Sequence, residues 1–294
     1  MQNSRRNFLK LSTLGTLAAT LPVEQTLAMM PDEFLPGKKL PSFGLQIWSV
    51  KEDMATDAKA TFKALASYGY KQLESFEGKE GMFWGMKHLD FKNYLSDLGI
   101  TVVSSHCNIS DDFEKKAALA AEAGLKYLIC PWKGPQKSID DFKRFAEEFN
   151  NCGAICRKNG IRFAYHNHDY SFKKIDDEVP QIVMMEQTDP ELVDFEMDIY
   201  WVVNAGEKPA DWLTKYKNRF RLCHIKDRMK HPLPDNKNSS CQLGKGSISY
   251  PAILKTAIAN GMQYFIVEQE YFEGSTPMKS AQANAQYMKK LLIP

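Results

Sequence analysis

Four short apolar runs in the second half of the chain each carry metal-ligating side chains near the C-terminal end. F-A-Y-H-N-H ends in His166 and His168, and F-E-M-D-I-Y-W carries Asp198. R-L-C-H-I-K-D carries His224, and F-I-V-E-Q-E carries Glu268 and Glu270. Imidazoles and carboxylates are the donors that divalent Mn, Zn, Co or Fe accept. An ion so held could polarise a carbonyl or a pair of hydroxyls. In a barrel of parallel strands the strand ends converge on one rim, so residues distant in sequence would meet around one small site.

Strand side chains alternate with period two. His166 and His168 therefore share a face, as do Glu196 and Asp198, His224 and Lys226, and Glu268 and Glu270. Periodicity does not rank the members of a pair, and it leaves open which of His166 and His168 is the ligand. A lone histidine in a strand is most often a satisfied core residue. Carboxylates are harder to place that way, because burying an unpaired charge costs several kcal/mol. Asp198 and Glu268 thus need a cation or a cage of hydrogen bonds. Glu74, His106 and Trp132 reach the same depth on earlier runs, and Trp48 ends the first run. The indoles of Trp48, Trp132 and Trp201 serve either as packing or as faces for a sugar ring, so Trp48, Glu74, His106, Trp132 and Trp201 are the candidate substrate contacts.

The strands expected to position these groups are Phe43–Val50, Tyr70–Phe76, Ile100–Asn108, Leu125–Trp132, Ile161–His168, Val193–Trp201, Phe220–Asp227 and Gln263–Glu270. Amphipathic stretches lie between them. The clearest is Ser138–Asn159, with apolar residues at helical spacing, Ser138 as N-cap and Gly160 as stop. Asp53–Tyr68, Phe91–Leu98, Phe113–Ala123 and Tyr250–Asn260 also run into a glycine, the residue suited to a left-handed helix cap. Strand and helix alternating eight times predict a single-domain (β/α)₈ TIM barrel. A doubly wound open sheet is the alternative, but the first strand runs into Gln46-Ile47-Trp48-Ser49 with no glycine-rich phosphate turn. Gly244-Lys245-Gly246 by itself is too weak a motif to imply a nucleotide.

The 294 residues contain 38 basic and 36 acidic side chains, 38 − 36 = +2. That balance gives no reason to expect nucleic acid or an anionic membrane as partner. Residues 1–28 read as an export signal. Ser4-Arg5-Arg6-Asn7-Phe8-Leu9-Lys10 resembles the twin-arginine motif, and Leu11–Leu21 is apolar but too short to span a bilayer. Thr26-Leu27-Ala28 offers a cleavage point, with a linker at 29–40 and the barrel at 41–294. The expectation is a periplasmic protein, exported folded, with no stable membrane anchor after cleavage. A homo-oligomer is compatible with the sequence. The six cysteines include no Cys-x-x-Cys and read mostly as free thiols.

The motifs Asp198-Ile199-Tyr200-Trp201, His224-Ile225-Lys226-Asp227, Leu243-Gly244-Lys245-Gly246 and Val267-Glu268-Gln269 resemble those of the xylose isomerase-like TIM-barrel superfamily, in its sugar phosphate isomerase/epimerase branch. The resemblance covers roughly residues 41–291. It implies one divalent ion held by Glu, Asp, His and Glu at the ends of the fifth to eighth strands. Asp198, His224 and Glu268 match in type and place. His166 stands where the first glutamate is expected, so the pair of carboxylates that trades a proton across the substrate in such epimerases is incomplete. His168 becomes the candidate base, with Glu268 opposite and Lys226 stabilising developing oxyanion charge. The resemblance thus implies a metal-dependent sugar isomerase or epimerase acting through an enediolate, on a non-phosphorylated sugar or derivative. The alternatives are a lyase or hydratase on an oxidised sugar or glycoside, and a non-catalytic carbohydrate-binding barrel.

Overall fold

The computed structural model describes residues 37–232, 234 and 238–294. The twin-arginine motif, its apolar stretch and its cleavage point lie outside the described residues. Eight parallel strands close into one barrel: β1 (Gly44–Gln46), β2 (Gln72–Phe76), β3 (Thr101–His106), β4 (Tyr127–Cys130), β5 (Arg162–His166), β6 (Val193–Asp198), β7 (Phe220–Ile225) and β10 (Tyr264–Val267). β1 pairs with both β2 and β10, which closes the circle. A small antiparallel hairpin, β8 (Asp227–Arg228) with β9 (Ser240–Cys241), sits beyond β7.

The helices between the strands are α1 (Lys51–Tyr68), α2 (His88–Asp97), α3 (Phe113–Ala123), α4 (Ile139–Lys158), α5 (Pro180–Gln187), α6 (Ile199–Asn204), α7 (Pro209–Lys215), α8 (Tyr250–Ala259) and α9 (Pro277–Lys290). α4 shows why the pattern folds as it does. The Ser138 hydroxyl accepts from the Asp140 N–H at 3.2 Å, and Phe142, Ala146, Phe149, Gly153 and Cys156 are buried along one stripe. Gly124 closes α3 with φ 89°, and its N–H returns to the last carbonyls of that helix. Most of the apolar core lies between strands and helices, while Val103, Tyr127, Ile129, Ala164 and Leu222 form a separate cluster inside the barrel. Among the described residues no helix is long and apolar enough to cross a membrane.

The strands stop earlier than the sequence predicts, and the reasons are local. The Gln46 side chain accepts from the Trp48 N–H at 3.1 Å and turns the chain into a 3₁₀ segment at Ile47–Val50, so Trp48 lies past the first strand rather than ending it. Asp198 Oδ1 accepts from the Trp201 N–H at 3.1 Å and starts α6, so Trp201 is helical and not part of a strand. His168 and Trp132 likewise lie two residues beyond their strands. The side chains at the mouth are thus carried on strand ends and on the first turn of backbone after them. All six cysteines are free, five of them buried.

Candidate metal centre and substrate cleft

The register of the barrel assembles the polar layer. His166 is level with Glu196 across β5–β6, and Asp198 is level with His224 across β6–β7. The β6–β7 pairing slips by one residue between Phe195 and Glu196. Alternation puts Glu196 and Asp198 on one face of β6, and the slip sets His224 level with Asp198. Glu74, Glu196, Asp198, His224 and Lys226 are fully buried, and His166 and Glu268 nearly so.

His166 Nδ1 lies 2.9 Å from Glu196 Oε2, and His106 Nε2 lies 2.9 Å from the same oxygen. His224 Nε2 lies 2.7 Å from Glu74 Oε1, and its Nδ1 lies 3.2 Å from Glu268 Oε2. Glu74 is itself held by Gln46 at 2.8 Å and by the Ser104 hydroxyl at 2.6 Å. Lys226 pairs with Glu268 at 3.1 Å and with Glu270. It does not pair with Asp227. That carboxylate instead accepts the backbone N–H groups of Arg228, Gly244, Gly246 and Ile248. The Leu243–Gly246 turn is therefore wrapped around Asp227, and a Cβ on Gly246 would collide with the carboxylate and the Arg228 carbonyl.

One buried oxygen stands apart. Asp198 Oδ2 has no hydrogen-bond partner. His166 Nε2 lies 3.7 Å from it, Lys226 Nζ 3.8 Å and His224 Nδ1 3.9 Å. These separations are too long for hydrogen bonds. Donors about 2.1 Å from a tetrahedral ion lie about 3.4 Å from one another. Single donor atoms of Asp198, His224 and Glu268 all fall within 4.8 Å of one another. The donor set, the unpartnered oxygen and the spacing of Asp198, His224 and Glu268 fit a divalent cation, and His166 Nε2 faces the same Asp198 oxygen from the β5 side. His166 faces Asp198, and His168 lies two residues further on, on the cleft wall. A second group of four, His106, His166, Glu196 and His224, also comes within 4.8 Å. Within it Glu196 Oε2 is hydrogen-bonded to His106 and His166, at 2.9 Å each, and lies 3.3 Å from His224 Nε2.

Electrostatics follow from burial and partners. Burial and the neighbouring Glu74 push Glu196 up to about 7, and burial pushes Asp198 up to about 6. Burial opposes charge on Glu74 and Glu268 too, but His106 and His224 hold Glu74 low, and Lys226 and His224 hold Glu268 low. Burial likewise opposes charge on His106, yet Glu74 and Glu196 raise it to about 9. Burial and then His224 keep His166 neutral, while burial and Lys226 lower His168 to about 3.

Above the cluster opens a cavity of about 320 Å³ lined by Trp48, Phe76, His106, Trp132, His168 and Glu270, among others. Trp132 is 53% exposed, with its ring 4.5 Å from the His168 ring and 4.8 Å from that of Tyr170. Trp48 is 38% exposed and donates its indole N–H to Glu270 at 3.2 Å. Trp201 is buried with its indole N–H unpartnered, 5.3 Å from His168 ring to ring. His168 Nδ1 is unpartnered as well. Glu74 does not line the cavity; it lies below it, under His106 and His224. Sequence reasoning missed Glu196 as a member of the site and Glu270 as the partner of Lys226. The only signal for either was the shared-face rule, which paired each with the residue two positions away.

The fold and this site define a class. The profile of the xylose isomerase-like TIM barrel family matches residues 62–291, and the chain belongs to that family. Among curated proteins it is 27% identical over 165 residues to inosose dehydratase of Clostridium perfringens, covering 51% of this chain and 55% of that protein. The match thus spans about half the length of that relative. Among solved structures, a sugar phosphate isomerase/epimerase from Parabacteroides distasonis superposes with a TM-score of 0.74 at 28% identity, covering 86% of this chain and 95% of the other. A zinc-bound protein named IOLI shares the fold, with a TM-score of 0.68 over 84% of this chain and 96% of the other at 13% identity.

Proposed function

We propose that the protein is a metal-dependent lyase that acts on a non-phosphorylated, oxidised (keto) sugar or glycoside. The observation that carries this reading is the unlikeness of the two sides of the cleft. On the β5 side stands His168, with an unpartnered Nδ1, flanked by Trp132 and Trp201. On the β10 side stand Glu268 and Glu270, both tied to Lys226. An epimerisation that returns the proton to the opposite face is served by two like carboxylates, and His166 and His168 occupy the β5 side here. An elimination needs one base and one place for the leaving group instead.

His166, Asp198, His224 and Glu268 would hold the ion, which would polarise the carbonyl or a pair of hydroxyls. His168 takes the proton from the carbon next to the carbonyl. The C–H electron pair becomes a carbon–carbon double bond, and the C–O bond to the leaving group breaks. The proton taken by His168 is delivered to that oxygen as it departs, so the product is an unsaturated keto sugar plus water or an alcohol and His168 is returned neutral. Lys226, fully buried and outside the cleft lining, would act through Glu268 and Glu270, whose charge it holds. Trp48 and Trp132 line the cleft and supply aromatic faces for the sugar ring, whereas Trp201 is buried beside His168 and does not line it. Among the described residues lining the cleft there is no arginine or lysine, whereas Glu77, Glu268 and Glu270 are present. This argues against a phosphorylated substrate. The dehydratase name of the curated relatives supports the elimination reading.

A sugar isomerase is the second reading, favoured by the Parabacteroides neighbour with its 86% coverage. Incubating the metal-loaded protein in D₂O with a panel of free, oxidised and glycosylated sugars separates the two. Loss of a leaving group from a keto sugar supports the lyase. Deuterium incorporation with an isomeric product and no loss supports the isomerase. No exchange into any sugar leaves a carbohydrate-binding barrel. Export by the twin-arginine route to the periplasm is part of the same proposal, and cell fractionation with and without Arg5 and Arg6 changed to lysine tests it.

A further inference from the structure

We infer that Glu74 and Glu196 are positioning residues that decide which nitrogen each ligand histidine offers to the ion, and that they select opposite nitrogens on the two rings. The inference rests on the ion-binding part of the reading above and concerns residues that do not touch the ion.

A neutral imidazole has one N–H and one lone pair, and whatever accepts the N–H thereby aims the lone pair. His166 places Nδ1 2.9 Å from Glu196 Oε2 and turns Nε2 toward Asp198 Oδ2. His224 does the reverse. Its Nε2 lies 2.7 Å from Glu74 Oε1, and its Nδ1 faces Asp198 Oδ2 and Glu268 Oε2. The rings flank β6 from either side, 4.6 Å apart; His166 Nε2 and His224 Nδ1 both face the unpartnered Asp198 Oδ2, and His224 Nδ1 also meets Glu268 Oε2. Neither carboxylate is loose. Glu74 is pinned by Gln46 from β1 and Ser104 from β3, at 2.8 and 2.6 Å. His106 Nε2 bridges the two carboxylates, 3.0 Å from Glu74 and 2.9 Å from Glu196. Glu74 and Glu196 are completely buried. Water therefore does not compete for the ring nitrogens that these carboxylates hold. Removing such an outer partner typically weakens ion affinity about 10–100-fold.

The test uses the full chain, labelled with ¹⁵N at histidine and loaded with zinc alone. In the wild-type protein the His166 signal should show Nδ1 protonated and Nε2 zinc-bound. The His224 signal should show Nε2 protonated and Nδ1 zinc-bound. Glu196→Gln and Glu74→Gln should each weaken zinc binding about 10–100-fold in competition with a chelator. Each should also disturb the signal of its own histidine and spare that of the other. Two outcomes overturn the inference while leaving the ion site standing. One is zinc on the same nitrogen of both rings; the other is affinity within about twofold of wild type in both variants. A wild-type chain that takes up no zinc overturns the ion site and the inference together. The tautomer measurement needs no variant, so a misfolded substitution does not block it.

Discussion

At the N-terminal floor of the barrel, Asp194 is buried and each of its neighbours answers it. The Tyr127 hydroxyl donates to its carboxylate at 2.9 Å, and Arg162 pairs with the same oxygen. The rest of the Arg162 guanidinium is spent on the carbonyls of Pro190 and Glu191. At the C-terminal mouth the balance is different. Glu74, Glu196, Asp198, Glu268 and Glu270 crowd one Lys226 and three imidazoles, and Asp198 Oδ2 and Glu196 Oε1 have no partner. Both ends bury charge in the same strands, Asp194 and Asp198 on β6 alike. The Asp194 carboxylate is met by protein groups without a ligand and serves stability. The mouth is short of positive charge, which is the condition that recruits a cation.

The largest effect that could break this contrast is at Asp198. Asp198→Ala should abolish stoichiometric ion uptake and lower turnover by at least about 10²–10³-fold, the scale of a lost preorganised electrostatic group. Metal analysis alongside kinetics checks it, and an intact ion content would show that the mouth is merely structural. His168→Ala should cost about 10²–10⁴-fold in turnover while the ion stays, as for a lost general base. Full solvent exchange in that variant would move the base elsewhere.

Ion addition should act only at the mouth. At 100 times its Kd a divalent ion should stabilise the chain by about 2.7 kcal/mol, read as a raised Tm that EDTA reverses. An unchanged Tm would put the charge deficit in doubt. Asp194→Ala should show the opposite profile. It leaves the Tyr127 hydroxyl and Arg162 without their acceptor and should cost about 1–3 kcal/mol. The figure belongs at the lower end, because the Arg162 side chain is 39% exposed and water screens it. Ion content and kcat of the folded fraction should remain within about twofold, and a lost ion would erase the distinction between the two ends. The smallest effect is expected at Trp132→Ala, a rise in KM of about tenfold, worth about 1.4 kcal/mol, with little change in kcat. An equal fall in kcat would make Trp132 part of the support for His168 rather than a sugar platform.

Much of this was legible in the sequence, because the barrel repeats a local rule. Glycines after helices, apolar runs of strand length and polar residues at their ends placed Asp198, His224 and Glu268 on successive staves. They also placed His166 and His168 on the stave before. The ends of the strands were not legible. Gln46 and Asp198 each turn a backbone by accepting an N–H two or three residues on, and no apolar pattern marks that event. Glu196 was not legible either. Period two put it on the face of Asp198, but only barrel closure and the β5–β6 register bring it beside His166, His106 and His224. The Gly244-Lys245-Gly246 turn read as a motif without a job. The structure gives it one, as the backbone cage of the Asp227 carboxylate.

Periodicity and side-chain chemistry, both local properties of the chain, were enough to determine the barrel, the rim at which its polar residues gather and the kind of ion they suit. Which nitrogens face Asp198, which carboxylates hold the far side of each imidazole and which oxygens are left without a hydrogen-bond partner were decided only when eight strands closed. Those are questions of register and of distances of a few ångströms between residues as far apart as Glu74 and His224. Burial then turns such small differences in placement into large differences in charge.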